Sequence, residues 1–102
     1  MVKHLKVQYP RINEELKTIT ILISFGGFTN RGEEYEYFWE KFKEKDIEEM
    51  AKKYFSYSRM DSEGKCCGFG WGNIEFKFWD IKNNEDNLIK LMEEIKEYTD
   101  NL

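Results

Sequence analysis

The chain has 102 residues, 35% of them charged and 17% aromatic, and its formal net charge at pH 7 is −4. A chain of this length builds one domain with its own core, so we expect a single α+β domain over residues 1–102. The acidic balance disfavours nucleic acid as a partner, and no apolar stretch approaches the roughly 20 residues of a membrane helix, so we expect no membrane association.

The first segments alternate between apolar and polar residues, as half-buried strands do. Leu5, Val7 and Tyr9 predict a strand that stops at Pro10, because proline has no N–H to donate to a sheet. A polar link follows, and residues 18–25 predict a second strand with its isoleucines on one face. We expect these two strands to form a hairpin.

A helical pattern follows the second strand. Asn30, with Glu33 three residues later, is typical of a helix start, and aromatic residues recur at helical spacing up to Phe42. The apolar stripe slips over residues 43–46, where Asp46 is a candidate cap for a second helical piece. We therefore predict a kink, or two short helices meeting near Asp46.

The second half repeats this order. Residues 55–60 alternate again, residues 61–64 have the composition of a turn, and a long strand is predicted over residues 66–81. The pair Asn83-Asn84 is expected to cap a final helix whose apolar stripe begins at Leu88.

A shift of 53 positions, the distance from residue 21 to residue 74, superimposes the two halves. It places Ile21, Ile23 and Phe25 on Ile74, Phe76 and Phe78. The predicted fold is ββα-ββα: a four-stranded antiparallel sheet with the helices packed on one face, a ferredoxin-like variant. The halves are about residues 1–54 and 55–102, and both duplication and convergence explain their similarity.

The last strand predicts a surface. If Ile74 and Phe78 face the helices, Lys77 and Trp79 face away, on a mostly polar face that also includes Ser58 and Met60. An exposed tryptophan is favoured at binding hot spots. The alternative is that a loop or a second copy of the chain partly buries it.

Three glycines alternate with two aromatic residues at the start of this strand. Gly68, Gly70 and Gly72 leave one face bare, while Phe69 and Trp71 occupy the other. A glycine weakens a strand unless the strand bends or another group approaches closely. The run therefore predicts either a bent strand with core aromatics or a groove for a ligand.

Catalytic motifs are missing from the sequence: there is no nucleophile elbow, HExxH, CxxC or P-loop. The one histidine, His4, and the adjacent Cys66 and Cys67 supply too few ligands for a tetrahedral metal site. We therefore expect no enzyme, no metal and no cofactor. Adjacent cysteines close no loop, which favours reduced thiols and a cytoplasmic location.

Size, acidity, aromatic excess and the missing catalytic motifs favour a small inhibitor-type protein. By analogy of composition, it would resemble immunity and phage anti-defence proteins and neutralise a larger protein with a basic surface. Its candidate anchors are Trp79, Trp71, Phe69, Tyr57, Glu33 and Glu34.

The alternative is a protein that binds a small ligand or a nucleotide. Aromatic rings would stack on the ligand, and cations would hold its phosphates. The candidate site is Gly68, Gly70, Gly72, Trp71, Lys77 and Arg59. A homo-oligomer is compatible with this reading, and a structural subunit that pairs through its sheet is a third option.

Overall fold

A computed structural model describes residues 4–8, 10–26, 40–66 and 72–101. These residues form five strands and two helices for which both ends are described, which confirms the α+β class. In chain order the elements are β1 (His4–Val7), β2 (Arg11–Asn13), β3 (Thr18–Gly26), α1 (Glu44–Tyr54), β4 (Arg59–Cys66), β5 (Gly72–Trp79) and α2 (Glu85–Asp100). The predicted helix start at Asn30 lies outside the described residues.

The sheet is antiparallel, with strand order β1-β3-β5-β4, and β2 pairs with β3 on the same side as β1. Both predicted strand pairs are present, as β1 with β3 and β4 with β5, although the bounds of β4 differ from those predicted. Since β3 and β4 both run antiparallel to β5, they are parallel to each other and β5 lies between them. The sheet has five strands instead of the predicted four, so the ferredoxin-like layout is matched only approximately.

The fifth strand results from a bulge at Pro10. Val7 lies opposite Ile23 and Arg11 lies opposite Thr20, so the register against β3 shifts by one residue between β1 and β2. Proline has no N–H for the ladder, and an extra residue at this point is a β-bulge. The segment predicted as a polar link therefore returns to β3 as β2.

The prediction for β4 is wrong in position. Residues 61–64 were expected to form a turn, but they belong to the strand, where Gly64 lies opposite Ile74. Their polar composition suits a strand at the edge of a sheet, and the ladder to β5 overrides their turn preference. Met60, predicted on the polar face beside Ser58, instead packs against the core, because the register places it opposite buried Phe78 and places Arg59 opposite Trp79 on the polar face.

The core lies between the sheet and the two helices. The predicted inward face of the sheet is confirmed, since the alternate apolar residues of β3 and β5 are buried; in the helix stripes Tyr54 and Met92 are only partly buried. The buried residues that form this layer are Ile19, Ile21, Ile23, Phe25, Ile74, Phe76, Phe78, Ile47, Met50, Ala51, Leu88, Leu91 and Ile95.

The break before α1 lies earlier than predicted. Lys43 is the extended N-cap residue of α1, and buried Phe42 packs against the ring of Phe76, with 6.2 Å between ring centroids. Asp46 lies inside α1 and accepts a hydrogen bond from the Tyr98 hydroxyl at 2.8 Å instead of capping the helix. The predicted cap of α2 is confirmed, since the Asn84 side chain accepts a hydrogen bond from the Asn87 N–H.

Candidate functional site

The sheet face turned away from α1 and α2 is called the outer face here. Its members alternate along each strand with the buried residues, and the register sets them in rows across the sheet. They are Lys6 of β1; Arg11 and Asn13 of β2; Thr18, Thr20, Leu22 and Ser24 of β3; Asn73, Glu75, Lys77 and Trp79 of β5; and Arg59, Asp61 and Glu63 of β4.

Trp79 lies on the outer face, as the alternation of β5 predicts, and its side chain is half-buried. It lies between Thr18 of β3 and Arg59 of β4 in the register. The Arg59 Cζ atom is 4.7 Å from the centroid of the indole ring, and the Lys77 Nζ atom is 4.4 Å from it. Both distances are within the range of a cation–π interaction, so two cations attract the same ring.

Asp61 fixes this arrangement. Its Oδ2 atom accepts a hydrogen bond from Trp79 Nε1 at 2.9 Å and lies 3.3 Å from Arg59 Nη2. The ring of Trp79 is thus held at its edge by a carboxylate and over its surface by two cations. We call these four residues the Trp79 cluster: Arg59, Asp61, Lys77 and Trp79.

A second charged contact crosses the outer face. Arg11 Nη2 of β2 lies 3.3 Å from Glu75 Oε2 of β5, so the pair spans the intervening strand β3. Below these side chains Thr20 is only 9% exposed and Thr18 only 3%. The sequence places both threonines on a solvated face, but larger side chains from β2 and β5 cover them.

The described residues of the outer face line a shallow depression. It has a volume of about 390 Å³ and is lined mostly by polar side chains, among them Arg11, Glu75 and Lys77, together with Ile12 and Leu16. Small-molecule sites are mostly apolar and enclose the ligand, unlike this depression. The outer face has the form of a contact surface.

Tyr57, predicted as a partner-binding anchor, does not lie on the outer face. Its ring packs edge-on against Phe78 with 5.0 Å between centroids, on the core side of the sheet. Its hydroxyl donates to the Glu48 carbonyl oxygen, and burial raises the pKa of this tyrosine. The structure therefore separates Tyr57 from the outer face.

Several predicted site residues lie outside the described part of the chain. They are Glu33, Glu34, Gly68, Phe69, Gly70 and Trp71. Gly72 is described: it is buried at the start of β5, opposite Phe25 and Cys66. Of the predicted residues that are described, the structure brings Trp79, Lys77 and Arg59 together.

Sequence reasoning missed Asp61, because residues 61–64 were expected to form a turn. A signal for it exists: Arg59, Asp61 and Glu63 are charged residues at every second position, which is the spacing of one strand face. The alternation was obscured by Gly64 and by the short polar residues beside it. The key carboxylate of the cluster thus comes from an edge strand.

An ionic contact on the helix side joins α1 to α2. Lys53 Nζ donates to Glu94 Oε1, and this hydrogen bond raises the pKa of Lys53 and lowers the pKa of Glu94. Both residues lie across the core from the Trp79 cluster. The contact supports helix packing and contributes nothing to the outer face.

Among residues 4–8, 10–26, 40–66 and 72–101, no three or more His, Cys, Asp and Glu side chains are grouped to hold a metal ion. In the same residues, neither helix combines the length and the apolar character that crossing a bilayer requires.

Comparison with known proteins finds no matching family model, no matching curated protein and no matching solved structure.

Proposed function

We propose that this chain is a non-catalytic protein that acts by binding a larger protein, in the manner of an inhibitor or immunity protein. The outer face is the proposed contact surface, with the Trp79 cluster at its centre. The observation that carries the proposal is the half-buried indole of Trp79, fixed by Asp61 and overlaid by Arg59 and Lys77.

Tryptophan and arginine are enriched among the residues that dominate binding energies at protein interfaces. A side chain that already occupies one orientation loses less freedom when a partner covers it. Trp79 meets both conditions, because its edge and its ring surface are both engaged before any partner arrives. The outer face therefore combines an aromatic anchor with a rim of charged residues.

Charge gives the proposed partner its chemistry. The chain carries a net charge of −4, which steers a basic protein towards it over long range. The outer face itself carries both signs, with Arg11 beside Glu75 and Arg59 beside Asp61. We therefore propose a partner that is basic overall and presents alternating charges and an apolar pocket where it meets Trp79. The proposed location remains the cytoplasm.

The alternative, a small-ligand or nucleotide site, has weaker support. A base stacking on Trp79 would compete with Arg59 and Lys77 for the ring. A phosphate would compete with Asp61 for the Arg59 guanidinium. The depression beside the cluster is shallow and polar, so a ligand would keep most of its surface in water.

The test is capture of the partner with the immobilised chain, identification by mass spectrometry, and calorimetry with the purified partner. We expect a one-to-one complex that Trp79→Ala weakens by at least about 30-fold, the effect of losing a hot-spot residue. Lys90→Ala is the matched control, because Lys90 is exposed on α2, across the core from the outer face. This control should leave the affinity unchanged.

Two results would contradict the proposal. One is a complex that Trp79→Ala and Lys90→Ala affect equally. The other is the absence of any protein partner, together with a nucleotide that raises the melting temperature of the wild type and not of Trp79→Ala. That second result would support the small-ligand alternative.

A further inference from the structure

A groove separates the first edge strand from α2, on the helix side of the sheet. It has a volume of about 450 Å³, and its floor is mainly apolar, with Val7 and Pro10 on one wall and Ile89 and Met92 on the other. Ile89 is 52% exposed, so its side chain adds to the apolar surface of the groove. The groove is therefore an apolar surface without a cover in the described part of the chain.

Four residues of α2 that line the groove form a single stripe. Glu85, Ile89, Met92 and Lys96 follow one another at intervals of four, three and four residues, which keeps them on one side of the helix. The stripe is about 16 Å long at 1.5 Å per residue. An acidic residue begins it, two apolar residues occupy its middle and a basic residue ends it.

The stripe matches a second copy of itself that runs in the opposite direction, because its acidic end then meets the basic end of the other copy. If a second α2 lies antiparallel, with a twofold axis between positions 90 and 91, Glu85 lies opposite Lys96 of the second copy. Ile89 then lies opposite Met92 of the second copy, and the twofold axis repeats both contacts. Neither Glu85 nor Lys96 makes an ion pair within the described part of the chain, so both are available.

We propose that two copies of this chain associate through this groove, with the α2 helices antiparallel. Each Ile89 would pack against Met92 and into the groove of the other copy, and two Glu85–Lys96 pairs would fix the register. Antiparallel helices that cross at a shallow angle stay in contact over several turns, which suits a stripe of this length.

The proposed dimer is independent of the proposed function, because the groove and the outer face lie on opposite sides of the sheet. It would still affect that function. A twofold dimer would carry two outer faces, so it would bind a target with two sites more tightly than a monomer can.

The test is the molar mass in solution, measured by light scattering on a size-exclusion column over a wide range of protein concentration. We expect twice the chain mass for the wild type at high concentration. Ile89→Arg should give the mass of one chain at the same concentration. Circular dichroism should show unchanged folding, because Ile89 is already exposed. Lys90→Glu, a charge change on an exposed residue that does not line the groove, should leave the dimer intact.

Charge reversal tests the register. Glu85→Lys alone and Lys96→Glu alone should each give monomers, because like charges then meet across the twofold axis. The double variant Glu85→Lys with Lys96→Glu should form the dimer again. An equimolar mixture of the two single variants should also give a heterodimer.

Three results would overturn the proposal. The first is a wild type that remains a monomer at every concentration, which would leave the groove to another occupant. The second is a dimer that persists in Ile89→Arg, which would place the interface elsewhere. The third is a double charge variant that remains monomeric, which would exclude the antiparallel register.

Discussion

Trp79 Nε1 and Asp61 Oδ2 lie 2.9 Å apart, although the two residues are 18 positions apart in the chain and belong to neighbouring strands. In the register Asp61 faces Lys77 and Trp79 faces Arg59, so the hydrogen bond runs diagonally across β4 and β5. Diagonal neighbours in an antiparallel pair are within reach of a long or aromatic side chain. The β4–β5 register therefore decides whether the cluster exists.

We predict that Asp61→Ala frees the indole ring. The variant loses the hydrogen bond from Trp79 and the contact with Arg59, both exposed, so the free energy of unfolding should fall by only about 0.5–1 kcal/mol. In nuclear magnetic resonance spectra, the Trp79 Nε1–H signal should move and its proton should exchange faster with water. Asp61→Asn keeps a side-chain acceptor and should change this signal less. An unchanged exchange rate in Asp61→Ala would contradict the hydrogen bond.

The adjacent residues Phe78 and Trp79 should respond very differently to truncation. Phe78 is 1% exposed in the core, so Phe78→Ala should lower the free energy of unfolding by about 3–5 kcal/mol. Trp79 is half-buried on the opposite face, so Trp79→Ala should cost less, about 1–2 kcal/mol. Urea denaturation measures both values. The reverse order would mean that β5 presents its other face to the core.

Tyr98 should make stability depend on alkaline pH. Burial, together with the hydrogen bond to Asp46, raises its pKa from 10.0 to about 12. The neutral hydroxyl is therefore favoured in the folded state. The neutral hydroxyl should make its full contribution to the free energy of unfolding below pH about 10. This contribution should be lost as the pH rises towards about 12.

Tyr98→Phe isolates this effect. At neutral pH it should lower the free energy of unfolding by about 0.5–1.5 kcal/mol, because the hydrogen bond to Asp46 is lost. Between pH about 10 and 12 its stability should fall less steeply than that of the wild type. Urea denaturation at several pH values gives both slopes. Parallel curves would show that Tyr98 titrates at its ordinary pKa.

Lys17 offers a test of backbone strain. It ends the turn between β2 and β3 with φ of 54°, in the left-handed region that costs most residues about 1 kcal/mol or more. Lys17→Gly should relieve this cost and raise the free energy of unfolding by up to about 1 kcal/mol. The melting temperature should rise slightly as a result. Thermal denaturation measures the change, and a fall in the melting temperature would contradict the strain.

Asp80 is the matched control for Lys17, because its φ is 55°. Its carboxylate accepts a hydrogen bond from the Ser58 hydroxyl, which Asp80→Gly would remove. We therefore expect little or no gain from Asp80→Gly. An equal gain at both positions would show that the Ser58 contact contributes nothing.

The faces of the two central strands could be predicted from the sequence. Ile21 and Phe76 each lie in a run of alternating apolar residues, and both are fully buried and opposite each other in the sheet. The outward position of Trp79 follows from the same alternation. Its partner Asp61 could not be predicted, because the polar segment around it has the composition of a turn.

The sequence by itself determined the α+β class, the inward faces of β3 and β5 and the capped final helix, because these follow from periodicities within a few neighbouring residues. Only the tertiary structure decided that β2 and β4 are strands and that Arg59 and Asp61 meet Trp79. Polar edge strands are held by backbone hydrogen bonds to a neighbour, and a bulge such as that at Pro10 changes the face that follows it. Such pairing depends on residues distant in the chain, and the local pattern does not contain it.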